Sequence, residues 1–200
     1  EQTHFTLSFE SSSLKDEDIF ASQIFSIILG GGMSSRLFQE VREKRGLCYS
    51  IYSTIEALSD TGMLTIYAGT SDDKINDLSK IIVDQIKKIT NKITSDELKR
   101  SKSQIKAGIL MSMESTPSRC ERLSRSLITW DKIVSLDETI KKIEKVNIED
   151  LKKIGKKICF SEKFSSVIYG SLQKGFDFSS LENDLKIKQN AFSILQKLKV

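Results

Sequence analysis

The stretch from Leu29 to Tyr52, LGGGMSSRLFQEVREKRGLCYSIY, decides how the middle of this chain is built. Gly30, Gly31 and Gly32 let the backbone turn where a Cβ would clash, and Ser34 and Ser35 are residue types that close the free N–H groups of a following helix. That helix is predicted to run from about Ser35 to Arg45. Gly46 then stands where a left-handed C-terminal cap belongs. Arg42 in the last helical turn and Tyr49 in the strand beyond therefore converge in space, although seven positions separate them. A fixed cation beside a phenol suits polar chemistry on a substrate. The glycines read in two ways, as simple turn geometry or as a mobile hinge facing a substrate. A phosphate cradle is the weaker reading because no G-K-[ST] follows them.

Working outward, Thr3 to Glu10 alternates apolar and polar residues as a strand does. A helix is expected from about Asp16 to Leu29 on Ile19, Phe20, Ile24, Ile27 and Ile28. Leu47 to Leu58 and Gly62 to Gly69 read as strands, joined by the hairpin-length connection Ser59-Asp60-Thr61. Ile75, Leu78, Ile82, Ile86 and Ile89 recur at helical steps. Thr94 to Glu97 is a capping-box sequence opening a helix through Leu98, Ile105, Ile109 and Met113. Pro117 starts the next helix, which continues to Trp130. Ser135 to Glu138 repeats the box, Asn147 caps a helix reaching about Lys157, and Phe164 to Tyr169 is the final strand. Few strands followed by a helix-rich half predict an α+β domain, an antiparallel sheet with helices packed on one face, undivided over residues 1–200. The tail from Ser179 to Val200 is expected to form a helix that returns to the body or reaches a partner.

Composition narrows the function classes. At 38% hydrophobic and 29% charged, the 200 residues suit a packed globular domain rather than disorder. The chain opens without Met and directly in a strand pattern, which reads as a domain taken from a longer protein. No apolar run approaches a bilayer span, so no membrane partner is expected. Cys48, Cys120 and Cys159 are widely spaced and lack C-x-x-C, which argues against a disulfide framework or zinc knuckle and for reduced, mostly buried thiols. The net charge of +4 rests on pairs such as Lys87–Lys88 and Lys156–Lys157, which alternate with isoleucines and leucines as solvated helix faces do. No aromatic residues interleave with them, so nucleic acid is not an expected partner. His4 is the sole histidine. One histidine cannot supply a zinc centre of the kind built on paired imidazoles, and His4 alternates with Phe5, Leu7 and Phe9, so it reads as a structural, sheet-facing residue.

The glycine-helix-strand stretch, with DTGMLTIYAGTS (Asp60 to Ser71) and MSMESTPSRCERLSR (Met111 to Arg125), resembles the C-terminal domain of pitrilysin/insulinase-type zinc peptidases. The bacterial processing-peptidase-like branch is the nearest match, and the likeness runs from about Gln2 to about Gly170. It implies a half-clamshell domain in a chain of two homologous domains, the first of which carries the zinc motif H-x-x-E-H. That motif is absent here, so zinc is the expected cofactor of a full-length protein and not of this domain. The implied activity is zinc-dependent cleavage of extended peptides, with this domain inactive alone. The implied partners are the peptide, an N-terminal zinc domain of the same or a partner chain, and a second copy in a homodimer. The branch points to a bacterial cytoplasm or periplasm.

In that family an arginine and a tyrosine at R-x6-Y spacing reach over the zinc site from the C-terminal part, and they map onto Arg42 and Tyr49. A phenol O–H can donate to the oxygen of a scissile carbonyl as negative charge develops there. A guanidinium suits a neighbouring substrate carbonyl and holds the peptide in register. For Gly30, Gly31 and Gly32 both readings stay open, simple turn geometry and, as the functional one, a mobile hinge that binds substrate. Arg36, Glu40, Glu43 and Arg45 read as surface or interface charges. The competing readings are a zinc-less partner or structural subunit of the same superfamily and, further off, a peptide- or nucleic-acid-binding module. In unrelated proteins a helix-terminal arginine usually serves the helix dipole and a strand tyrosine usually packs.

Overall fold

The computed structural model describes residues 2–159, 163–172 and 175–185. In strand β1 (Thr3–Ser11), Phe5, Leu7 and Phe9 are buried while His4, Thr6 and Ser8 lie on the opposite, partly open face. That two-residue alternation is what a sheet covered on one side demands. Strands β2 (Cys48–Ala57), β3 (Gly62–Thr70) and β4 (Phe164–Tyr169) complete an antiparallel sheet of order β2-β3-β1-β4.

The covered face carries three helices. Helix α1 (Ile19–Gly30) contributes Ile24, Phe25 and Ile28, α2 (Ile75–Asn91) contributes Leu78, Ile82 and Ile86, and a later helix, Ile148–Cys159, contributes Leu151, Ile154 and Ile158 to one hydrophobic core. Between α2 and that last helix the chain forms α3 (Ser95–Ser112), α4 (Thr116–Trp130) and α5 (Leu136–Lys145), making Ile148–Cys159 α6. α3 and α4 each bury a single residue, Ser101 and Ser126.

The predicted α+β class and its main elements are present, and β4 has the predicted bounds. The Thr94 capping box forms in full, with Glu97 N donating to Thr94 Oγ1 at 3.2 Å and Thr94 N to Glu97 Oε2 at 2.9 Å. Asn147 caps α6 through its Oδ1, which accepts from the N–H groups of Glu149 and Asp150.

Several expectations are corrected. α1 begins at Ile19 rather than near Asp16 and keeps Gly30 as its last residue. Neither serine after the glycines caps the next helix: Ser35 is drawn into the interior and its Oγ has no partner among the described residues. The second capping box is half formed, because Ser135 accepts from Glu138 N while the Glu138 carboxylate pairs with Lys142. Cys120 is exposed, against the expectation of buried thiols, whereas Cys48 is buried; the Cys159 side chain lies outside the described residues. Of the tail, residues 178–185 are helical with Leu181 and Leu185 buried; the rest of that expectation falls outside the described residues.

Candidate substrate-binding site

The segment from Gly30 to Tyr52 is built by three local devices. Gly30 is where α1 meets β2 most closely, since a Cβ there would lie 2.4 Å from Ser53 N. Only glycine allows that approach. Gly32 turns away with a φ of +150° and is exposed, and the carbonyls around it are held: Gln104 Nε2 donates to Gly31 O at 2.7 Å and Gln39 Nε2 to Met33 O at 2.7 Å.

The second device is the helix that follows. It is widened into a π-type turn over Phe38–Glu43, with Lys44 N donating to Gln39 O at 3.0 Å. Such turns are rare and recur at functional sites. Gly46, at a φ of +58°, ends it in the left-handed region, as the sequence predicts. The helix is fastened by an ion pair that sequence reasoning missed. Arg36 Nε and Nη2 donate to Glu97 at 2.7 and 2.8 Å, and Nη2 also donates to Lys92 O. Burial pushes the Glu97 carboxyl up, but Arg36 and the Thr94 hydrogen bonds outweigh it and hold the group below its usual value. Arg36 is thus a structural clamp between the glycine segment and α3 rather than a surface charge. Glu40 pairs with Lys44 and Arg45 on the surface.

The third device is a β-bulge. Cys48 pairs with Thr70 and Ser50 with Gly69, so Tyr49 is the extra residue at the irregularity. A bulge re-aims the side chain it carries, and Tyr49 is 69% exposed. Arg42, on the π turn, is also exposed, its guanidinium 4.8 Å from the centre of the Phe38 ring. Burial pushes the Cys48 thiol up to about 11, opposed by the charge of Arg42. Arg42 therefore acts electrostatically on the residue next to Tyr49. Among the described residues neither the Tyr49 hydroxyl nor the Arg42 guanidinium has a hydrogen-bond partner, so both are free to serve a ligand.

Beyond Tyr49 the open face of the sheet carries an aromatic row. Tyr52 stacks on Tyr67 at 5.1 Å, and Tyr67 Oη lies 2.7 Å from His4 Nδ1. His4 is thereby engaged within the sheet. No three His, Cys, Asp or Glu side chains cluster as a metal site would need among the described residues, and this donor set does not fit zinc.

A family model described as the peptidase M16 inactive domain matches residues 1–105. The chain belongs to the peptidase M16 family. It is 38% identical over 166 residues to an uncharacterized zinc protease, YmxG, of Bacillus subtilis, covering 82% of this chain and 40% of that protein. An uncharacterized zinc protease of Rickettsia felis is 35% identical over 177 residues, 88% of this chain and 43% of its own. Among solved structures, a peptidase M16 inactive domain from Pseudomonas fluorescens aligns with a TM-score of 0.75 at 26% identity, covering 87% of this chain and 42% of that one. A chain of Complex III2 from Candida albicans aligns with a TM-score of 0.81 at 16% identity, over 92% and 46% of the two chains, a likeness of fold alone. This M16 domain therefore spans about two fifths of the length of the curated relatives it matches.

Proposed function

We propose that this M16 domain is the substrate-holding, non-zinc half of a zinc-dependent endopeptidase that cleaves extended peptides. The supporting observation is that Tyr49 is thrust into solvent by a bulge beside the π turn that carries Arg42, each with an unengaged donor. In this reading zinc sits in another domain, of the same or a partner chain within a homodimer, and supplies the Lewis acid and the activated water of hydrolysis. The residues of this chain hold and polarise the peptide. Tyr49 donates its O–H to the scissile carbonyl oxygen as charge accumulates there, a contact typically worth about 2.7–4 kcal/mol of barrier. Arg42 donates to a neighbouring carbonyl and keeps the peptide extended. Gly31 and Gly32 border the peptide with bare backbone, and Gly30 supports them from within.

Tyr49→Phe removes only the O–H. In the full-length protein it is expected to lower kcat a hundredfold or so with little change in KM, and Arg42→Ala to damage both. Wild-type kinetics for Tyr49→Phe would remove the tyrosine from the chemistry, whereas a full-length protein that hydrolyses no peptide would favour the alternative reading, a zinc-less subunit of the same superfamily.

A further inference from the structure

Helix α4 is fastened by its polar side to the connection that follows it and to α5. Arg122 Nη2 donates to Val134 O at 3.3 Å and to Thr139 Oγ1 at 3.1 Å, while Ser126 Oγ donates to Lys132 O at 2.7 Å and accepts from Val134 N at 2.8 Å. Among the described residues nothing covers its apolar side. Cys120, Leu123, Leu127 and Trp130 follow one another at helical steps and all are exposed, Leu127 by 48%; Ile128, 85% exposed, lies off this line toward Arg125. Ile133, just past the helix, extends the apolar surface. Single exposed apolar residues need no explanation, but a stripe at helical spacing marks a face made for burial.

We propose that the α4 stripe is the seat of the other half of a longer polypeptide, the half that carries zinc in the reading above, on which this inference rests. Two observations select that occupant. The relatives are more than twice as long as the part this chain matches, since the match covers 40% and 43% of them. The stripe is also small. Four side chains on one helix fall short of the roughly 800 Å² per partner that a stable association of separate chains needs, whereas a tethered half docks at high effective concentration and needs less.

The chain carries its own reporter. Cys120 lies on the stripe and Cys48 is buried in the core. In the full-length polypeptide, N-ethylmaleimide should modify Cys120 at a rate at least tenfold below that of a free thiol, as read by mass spectrometry. Leu127→Lys should restore fast labelling of Cys120 and leave Cys48 protected, while Arg125→Ser, on the opposite side of α4, should change neither. If Leu127→Lys also exposes Cys48 the variant has unfolded; Leu127→Ala then serves, with an expected rise of about threefold. Labelling of wild-type Cys120 at a free-thiol rate overturns the proposal. So does protection that disappears on dilution, which assigns the stripe to a second copy. The readout is accessibility and not hydrolysis, so an inactive protein with a shielded Cys120 would sink the peptidase reading and leave this one standing.

Discussion

Helices α2 and α4 are close in length, 17 and 15 residues, and both segregate apolar from polar residues, yet α2 buries nine residues and α4 buries one. The apolar side of α2 faces the core, with Leu78, Ile82 and Ile86 in the one buried cluster shared with α1 and α6. The apolar side of α4 faces water. Amphipathicity states that a face gains by being covered; it does not say by what.

The largest test of this contrast uses one chemical change on both helices. Leu78→Ala, at a fully buried position, is expected to cost about 3–4 kcal/mol from lost transfer energy and a residual cavity, read as a lower midpoint in chemical denaturation. A loss below about 1 kcal/mol would mean that α2 is not the anchored helix described above.

The junction of α2 with α3, where Arg36 holds Lys92 O and Glu97, gives an intermediate effect. Arg36→Ala removes the charge-assisted bonds to Glu97 and is expected to cost about 2 kcal/mol, with little screening because the two side chains are only 17% and 16% exposed. The sign with pH follows from the depressed Glu97 carboxyl. A carboxylate whose folded pKa lies below its unfolded one contributes stability that is present above the unfolded pKa and is lost as pH falls through the folded value. Stability measured from pH 7 into acid should therefore fall more steeply for wild type than for Arg36→Ala, and parallel curves would remove Arg36 as the clamp.

The smallest expected effect is the other half of the first experiment. Leu127→Ala in this domain should change stability by less than about 0.5 kcal/mol, since the side chain is 48% exposed and no described residue covers it. A cost approaching that of Leu78→Ala would erase the contrast.

Much of the architecture was readable before any coordinates. β4 was bounded by the alternation of Phe164 to Tyr169, and the Thr94 cap by two partners three residues apart. Gly46 announced its left-handed turn. What escaped was set by longer reach or by finer geometry. Arg36 and Glu97 are 61 positions apart, and no local pattern links them. The bulge that turns Tyr49 outward is a mismatch between β2 and β3, visible only when both strands are paired. The Ser35 cap failed because packing drew that serine inward.

The sequence by itself therefore determined the elements, most of their caps, the sidedness of the sheet and membership of the M16 family. Each of these depends on residue type and spacing within a few turns or on a run of matching motifs. Only the tertiary structure decided that a bulge turns Tyr49 into solvent and that the helix of Arg42 widens into a π turn, that Arg36 is spent on holding α3, and that the apolar side of α4 is left uncovered among the described residues. Those outcomes arise from elements brought together from distant parts of the chain, where pairing register and competition for a single core settle which faces are buried.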